Sequence, residues 1–79
     1  MIEAFIMVVV KPGHEEEVYE ALKKDSRVKE IYRVYGEYDI LLRVEVPDVG
    51  ELDRFHDEVL RKTRNIEMTE TLIASAYRG

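Results

Sequence analysis

Residues 2–11 are apolar at nearly every position, and this constrains the fold more than any other feature of the chain. Side chains alternate across a strand, so Ile2, Ala4, Ile6, Val8 and Val10 point one way and Phe5, Met7 and Val9 the other. A strand apolar on both sides belongs at the centre of a sheet that is covered on both faces. Pro12-Gly13 stops it.

The rest of the chain supplies partners for such a strand. Residues 14–24 follow a helical period with Val18, Ala21 and Leu22 as the inward stripe. Glu15, Glu16 and Glu17 fall in the first turn and Lys23 and Lys24 in the last, which suits the helix dipole. After Asp25-Ser26, a second strand is expected over 28–35, a short turn at Gly36-Glu37 and a third strand over 38–46. Asp48 and Glu51 have capping-box spacing, and open a helix running to about Arg64 with Val49, Leu52, Phe55, Val59 and Leu60 inward. A last strand is expected over 66–77, with Thr69, Thr71, Ile73 and Ser75 on one face. The order β-α-β-β-α-β reads as strand, Pro, helix, strand twice over, with Pro12 and Pro47 in matching places. It predicts an α+β, ferredoxin-like sandwich, a four-stranded antiparallel sheet with two helices on one face, as one domain over 1–79.

Two helices cover only one side of that sheet. Phe5, Met7, Val9, Leu41 and Ile73 are expected on the other, and burying each such side chain is worth about 1.5–3 kcal/mol. Scattered surface hydrophobes would be ordinary, but a contiguous set marks an interface or a ligand groove. Chain length favours the interface. A chain of 79 residues buries only about 60–65% of its unfolded surface and sits near the lower limit of stability. With no cysteine, disulfides and thiolate metal sites are unavailable, which leaves association as the supplement. A homo-oligomer follows.

Charge excludes some partners. A net charge of −5 with both signs mixed along the chain disfavours direct nucleic-acid binding. No basic-then-apolar leader opens the sequence and no apolar run approaches the ~18–20 residues of a membrane span, so a cytoplasmic protein without membrane contact is expected. Many Glu, Lys and Arg residues, a single Asn and no Gln fit a thermophile's composition.

Two short motifs carry the candidate chemistry. In Gly36-Glu37-Tyr38-Asp39, Gly supplies a positive φ, Asp ties down the turn and Tyr packs on the sheet. The same residues could also bind, with turn amides facing an anion and the Asp39 carboxylate a cation, the two charges that a free amino acid carries on neighbouring atoms. Thr69-Glu70-Thr71 places two hydroxyls on one strand face, as good strand residues or as donors to a carboxylate. In sheet order 4-1-3-2 the motifs lie roughly 10–15 Å apart, too far to grip one small ligand within a chain. Face-to-face packing of two sheets is expected to bring them together between protomers. His14 and His56 lack metal-ligand spacing and read as helix-surface residues, and Glu15–Glu17 as a solvated face. No nucleophile elbow, P-loop or dinucleotide signature is present. No cofactor, metal or catalytic residue is implied.

On these residues the chain resembles the RAM domain, the effector-binding half of the Lrp/AsnC transcription regulators. The resemblance runs from Lys11-Pro12-Gly13 through Val34-Tyr35-Gly36-Glu37-Tyr38-Asp39 to Thr69-Glu70-Thr71-Leu72. It implies sheet-mediated dimers of the dimeric α/β-barrel type that assemble further into rings, and an amino acid held between protomers. Gly36, Tyr38 and Asp39 would come from one chain and Thr69 and Thr71 from another. The family's helix-turn-helix domain has no counterpart in this sequence, so regulation is expected to act through a partner such as a full-length regulator of the same family. Two alternatives share the element order. One is a small dimeric α/β-barrel monooxygenase or isomerase, against which no His, Asp or Tyr is visibly paired for acid–base work. The other is an ACT-type sensor, which would place its ligand near Gly13 rather than Gly36.

Overall fold

The computed structural model describes residues 1–74. The elements are β1 (Ile2–Val10), α1 (Glu15–Lys23), β2 (Val28–Arg33), β3 (Ile40–Val46), α2 (Val49–Phe55) running into a π-helical turn (His56–Leu60), and β4 (Ile66–Ile73). The strands form one antiparallel sheet in the order β2-β3-β1-β4, the ferredoxin-like arrangement. The apolar β1 is central, and β2 and β4 are the edges.

Alternation decides the core. Ala4, Ile6 and Val8 of β1 and Ile40, Leu42, Val44 and Val46 of β3 are fully buried beneath Val18, Leu22, Leu52, Phe55 and Leu60 of the helical layer. No polar or charged residue is buried among the described residues. The opposite face carries Phe5, Met7, Val9 and Leu41, all half-buried, flanked by Tyr32, Met68 and Leu72 at 50%, 54% and 50% exposure.

Register corrects the membership of that face. Ile73 pairs with Ala4, which puts it on the helical side at the end of the strand; Leu72, opposite Phe5, takes its place on the open side. Two expected inward residues are also exposed. Ala21 lies on the outer side of α1, and Val49, at the first helical position after its cap, is 52% exposed.

Local chemistry sets the ends of the elements. Asp48 caps α2 by accepting from the Glu51 N–H at 2.9 Å. The reciprocal half of the capping box does not form, because the Glu51 carboxylate is drawn to Arg27 at 2.9 Å and to Arg54 at 3.2 Å. The α-helix also gives way to the π-helical turn at His56 rather than continuing to Arg64. The expected strands over 28–35 and 38–46 are shorter, leaving a six-residue connection of residues 34–39 around Gly36, whose φ of 125° suits only glycine. Ser75 and the rest of the strand expected to residue 77 lie outside the described residues.

Candidate functional site

The connection between β2 and β3 is pinned to the central strand. The Val34 N–H donates to the Asp39 carbonyl and the Asp39 N–H to the Val8 carbonyl, both at 2.9 Å. The Asp39 carboxylate does not tie down its own turn. Its Oδ2 accepts from the Val10 N–H at 2.8 Å, where β1 is about to leave the sheet. Asp39 is thus held half-buried by a backbone donor, and its other oxygen has no hydrogen-bond partner among the described residues.

Asp39 lines a cleft of about 450 Å³ with Glu15, Arg33, Val34 and Tyr35, beside the start of α1. Glu15 is oriented by accepting from the Gly13 N–H at 3.1 Å. Arg33 meets Glu16 at 3.2 Å, but both side chains are half or more exposed, so the pair is weak and its guanidinium can be won by another carboxylate. The sequence reading missed Arg33. Its only sequence signal was a cation closing β2 just before the Gly-x-Tyr-Asp run.

Tyr38 turns the other way. Its hydroxyl donates to the Glu70 carboxylate on the open face of the sheet, which pushes the phenol above its ordinary pKa. Glu70 stands opposite Met7, so Tyr38 spans β1 to reach β4. The hairpin and the last strand therefore do touch within one chain, a correction to the spacing argument, because two long side chains close the gap between strands. Among the described residues no hydrogen bond joins Asp39 to either threonine.

Thr69 and Thr71 pair with Val8 and Ile6 and share their direction, toward the helical side. Face-to-face sheet packing does not deliver them to a hairpin, because alternation sends them away from the open face. They stand instead along the edge strand. Thr69 lines a groove of about 270 Å³ with His56, Leu60, Arg61, Ile66, Glu67 and Met68. Thr71 Oγ1 lies 2.8 Å from His56 Nε2, and His56 Nδ1 lies 3.1 Å from the Leu52 carbonyl oxygen. His56 is therefore a half-buried bridge between helix and edge strand rather than a simple surface residue.

His14 contacts Glu17 at 2.8 Å, a hydrogen bond that lowers the Glu17 pKa. Among the described residues no cluster of three or more His, Cys, Asp or Glu is arranged to hold a metal ion. No helix among them is long and apolar enough to cross a membrane.

Residues 3–76 match the family model of the Lrp/AsnC ligand binding domain. An HTH-type transcriptional regulator of Pyrococcus horikoshii is 38% identical over 77 residues, which cover 98% of this chain and 49% of the regulator. The chain spans about half the length of the curated relatives it matches, and these are transcriptional regulators, not enzymes. Among solved structures, a hypothetical protein from Pyrococcus horikoshii is 45% identical with a TM-score of 0.90, covering 99% of this chain and 94% of that one. A Neisseria meningitidis transcriptional regulator, solved as an L-Met complex, shares the fold at 19% identity and a TM-score of 0.86, covering 99% of this chain and 52% of that one.

Proposed function

Since this chain belongs to the Lrp/AsnC ligand-binding-domain family, we propose that it is an oligomeric amino-acid sensor of the cytoplasm that modulates transcription through partner proteins. The observation that carries this reading is the Asp39 carboxylate, fixed by the Val10 N–H and lining a cleft large enough for an amino acid. Asp39 would pair with the α-ammonium group, and the amides near Gly36 or the Arg33 guanidinium would take the α-carboxylate. The L-Met complex of the Neisseria regulator supports the ligand class.

Thr69 and Thr71 would complete the shell from a second chain. Their position on the edge strand suits a chain that arrives edge-on, as in a ring of dimers, while the open faces join two chains into each dimer. Tyr38, bonded to Glu70 on that open face, would then link the hairpin to the dimer contact rather than wall the cleft. Regulation would pass through a full-length regulator of the same family or another protein partner.

Calorimetric titration tests the assignment. Asp39→Ala is expected to lower amino-acid affinity by about 10-fold or more, the worth of a charge-assisted hydrogen bond, with the fold retained. Unchanged affinity would remove Asp39 from the site.

A further inference from the structure

We propose that His56 is a positioning residue for Thr71, fixing the direction in which the Thr71 hydroxyl can serve an amino-acid ligand. The proposal rests on the reading above, in which Thr71 touches that ligand. The His56 ring opens the π-helical turn and bridges two acceptor-capable atoms, the Leu52 carbonyl oxygen at Nδ1 and Thr71 Oγ1 at Nε2. A carbonyl oxygen only accepts, so the hydrogen of the neutral ring sits on Nδ1 and Nε2 carries a bare lone pair. The Thr71 hydroxyl then donates to Nε2, and its oxygen lone pairs are left for an outside donor. An ammonium group has donors alone. The neutral ring therefore makes Thr71 an acceptor suited to the α-ammonium end of an amino acid.

A second proton on the ring reverses this. Nε2–H then donates to Thr71 Oγ1, and the threonine hydrogen turns outward to meet an ammonium donor with another donor, beside a new positive charge. Thr69 lines a groove with His56 and, among the described residues, makes no hydrogen bond to the ring, so its hydroxyl can rotate to serve the carboxylate end. The charged groups nearest His56 are Asp53 and Asp57 on its own helical segment, Arg61 at the end of that segment, and Glu67 of β4, which lines the groove with it. Asp57 is met by Arg61 at 3.7 Å. Reference carboxylates titrate near pH 4 and Lys and Arg above 10, so imidazole is the side chain that changes charge between pH 5.5 and 8. The other histidine, His14, sits at the start of α1.

The standard amino acids, screened by thermal shift on the full chain, supply the probe, and the strongest stabiliser is titrated calorimetrically from pH 5.5 to 8. Wild type and His14→Gln are expected to lose about 10-fold in affinity toward the acid end. His56→Gln, whose amide oxygen accepts from Thr71 without titrating, is expected to keep its pH 8 affinity within a few-fold and to lose the slope. A flat wild-type profile, affinity that rises on acidification, or a slope retained in His56→Gln overturns the proposal. Long-range proton–nitrogen NMR on the wild type at pH 8 gives a ligand-free check, which still decides if His56→Gln fails to fold. Hydrogen on Nδ1 agrees with the proposal, and hydrogen on Nε2 overturns it while leaving the sensor reading intact. If no amino acid binds wild type at any pH, the sensor reading falls and the role of His56 falls with it.

Discussion

The two faces of the sheet are built from the same strands and end in different states. On the helical side, Ala4, Ile6, Val8, Ile40, Leu42, Val44 and Val46 are wholly removed from water by the chain's own helices. On the open side, Phe5, Met7, Val9 and Leu41 are shielded only by their neighbours in the sheet, and Tyr32, Met68 and Leu72 stand half in solvent. Each side also holds one arginine among three carboxylates. Arg27 lies with Asp25, Glu51 and Glu58, over the Phe55 ring at 5.3 Å, and ties the loop before β2 to α2. Arg43 lies with Glu3, Glu30 and Glu45 across three adjacent strands of the open face. The first cluster closes a finished layer. The second, with the same excess of negative charge, lies beside an apolar patch, which suits the rim of a contact with another chain rather than its centre.

Substitutions on either face should therefore fail in different ways. The largest effect is expected from Leu42→Ala on the covered face, which should cost about 2–5 kcal/mol in denaturant unfolding through the cavity it leaves. Leu41→Lys, one residue along and on the open face, should cost the single chain less than about 1 kcal/mol. It should instead split the oligomer, which sedimentation at micromolar concentration would detect. If Leu41→Lys unfolds the chain as Leu42→Ala does, the two faces are not distinct in the way described. The effect at Asp25 is expected to be smaller than that at Leu42 and to leave the oligomer whole. Hydrogen bonding to Arg27 lowers its pKa, so its stabilisation is present above the ordinary aspartate range and lost as pH falls through the depressed folded value. Asp25→Asn should cost about 1 kcal/mol at pH 7 and make unfolding less steep with acid below pH 4. A mutant whose acid limb matches wild type would remove Asp25 from that network.

Much of this was legible because alternation in β1 and β3 is strict. The same rule puts Ile73 and both threonines of β4 on one face, but which face that is depends on the pairing with β1, which sets Ile73 opposite Ala4 and the threonines opposite Val8 and Ile6. What stayed hidden depended on partners distant in sequence. Asp39 stands out within its turn, but its bond to Val10 joins residues from different strands. The five-residue step from Phe55 to Leu60, both buried, was the available sign of a π-helical turn, and it was masked by Val59 at the ordinary helical spacing. His56 looks like any mid-helix polar residue until that turn aims it at Thr71. Nor does the sequence say that Glu51 will prefer Arg27 to its own helix end, since that choice is made by the packing of the loop before β2.

If association completes the ligand site as well as the fold, the site must draw residues from two chains. Mixing two binding-deficient variants tests it most directly. Asp39→Ala chains and chains carrying both Thr69→Ala and Thr71→Ala should each bind about 10-fold or more weakly in calorimetry, below detection at a ligand concentration that wild type saturates. After subunit exchange the mixture should recover binding at a fraction of its sites, because some sites then draw an intact hairpin from one chain and intact threonines from another. A mixture that stays silent while both variants remain folded, oligomeric and freely exchanging would contradict the account.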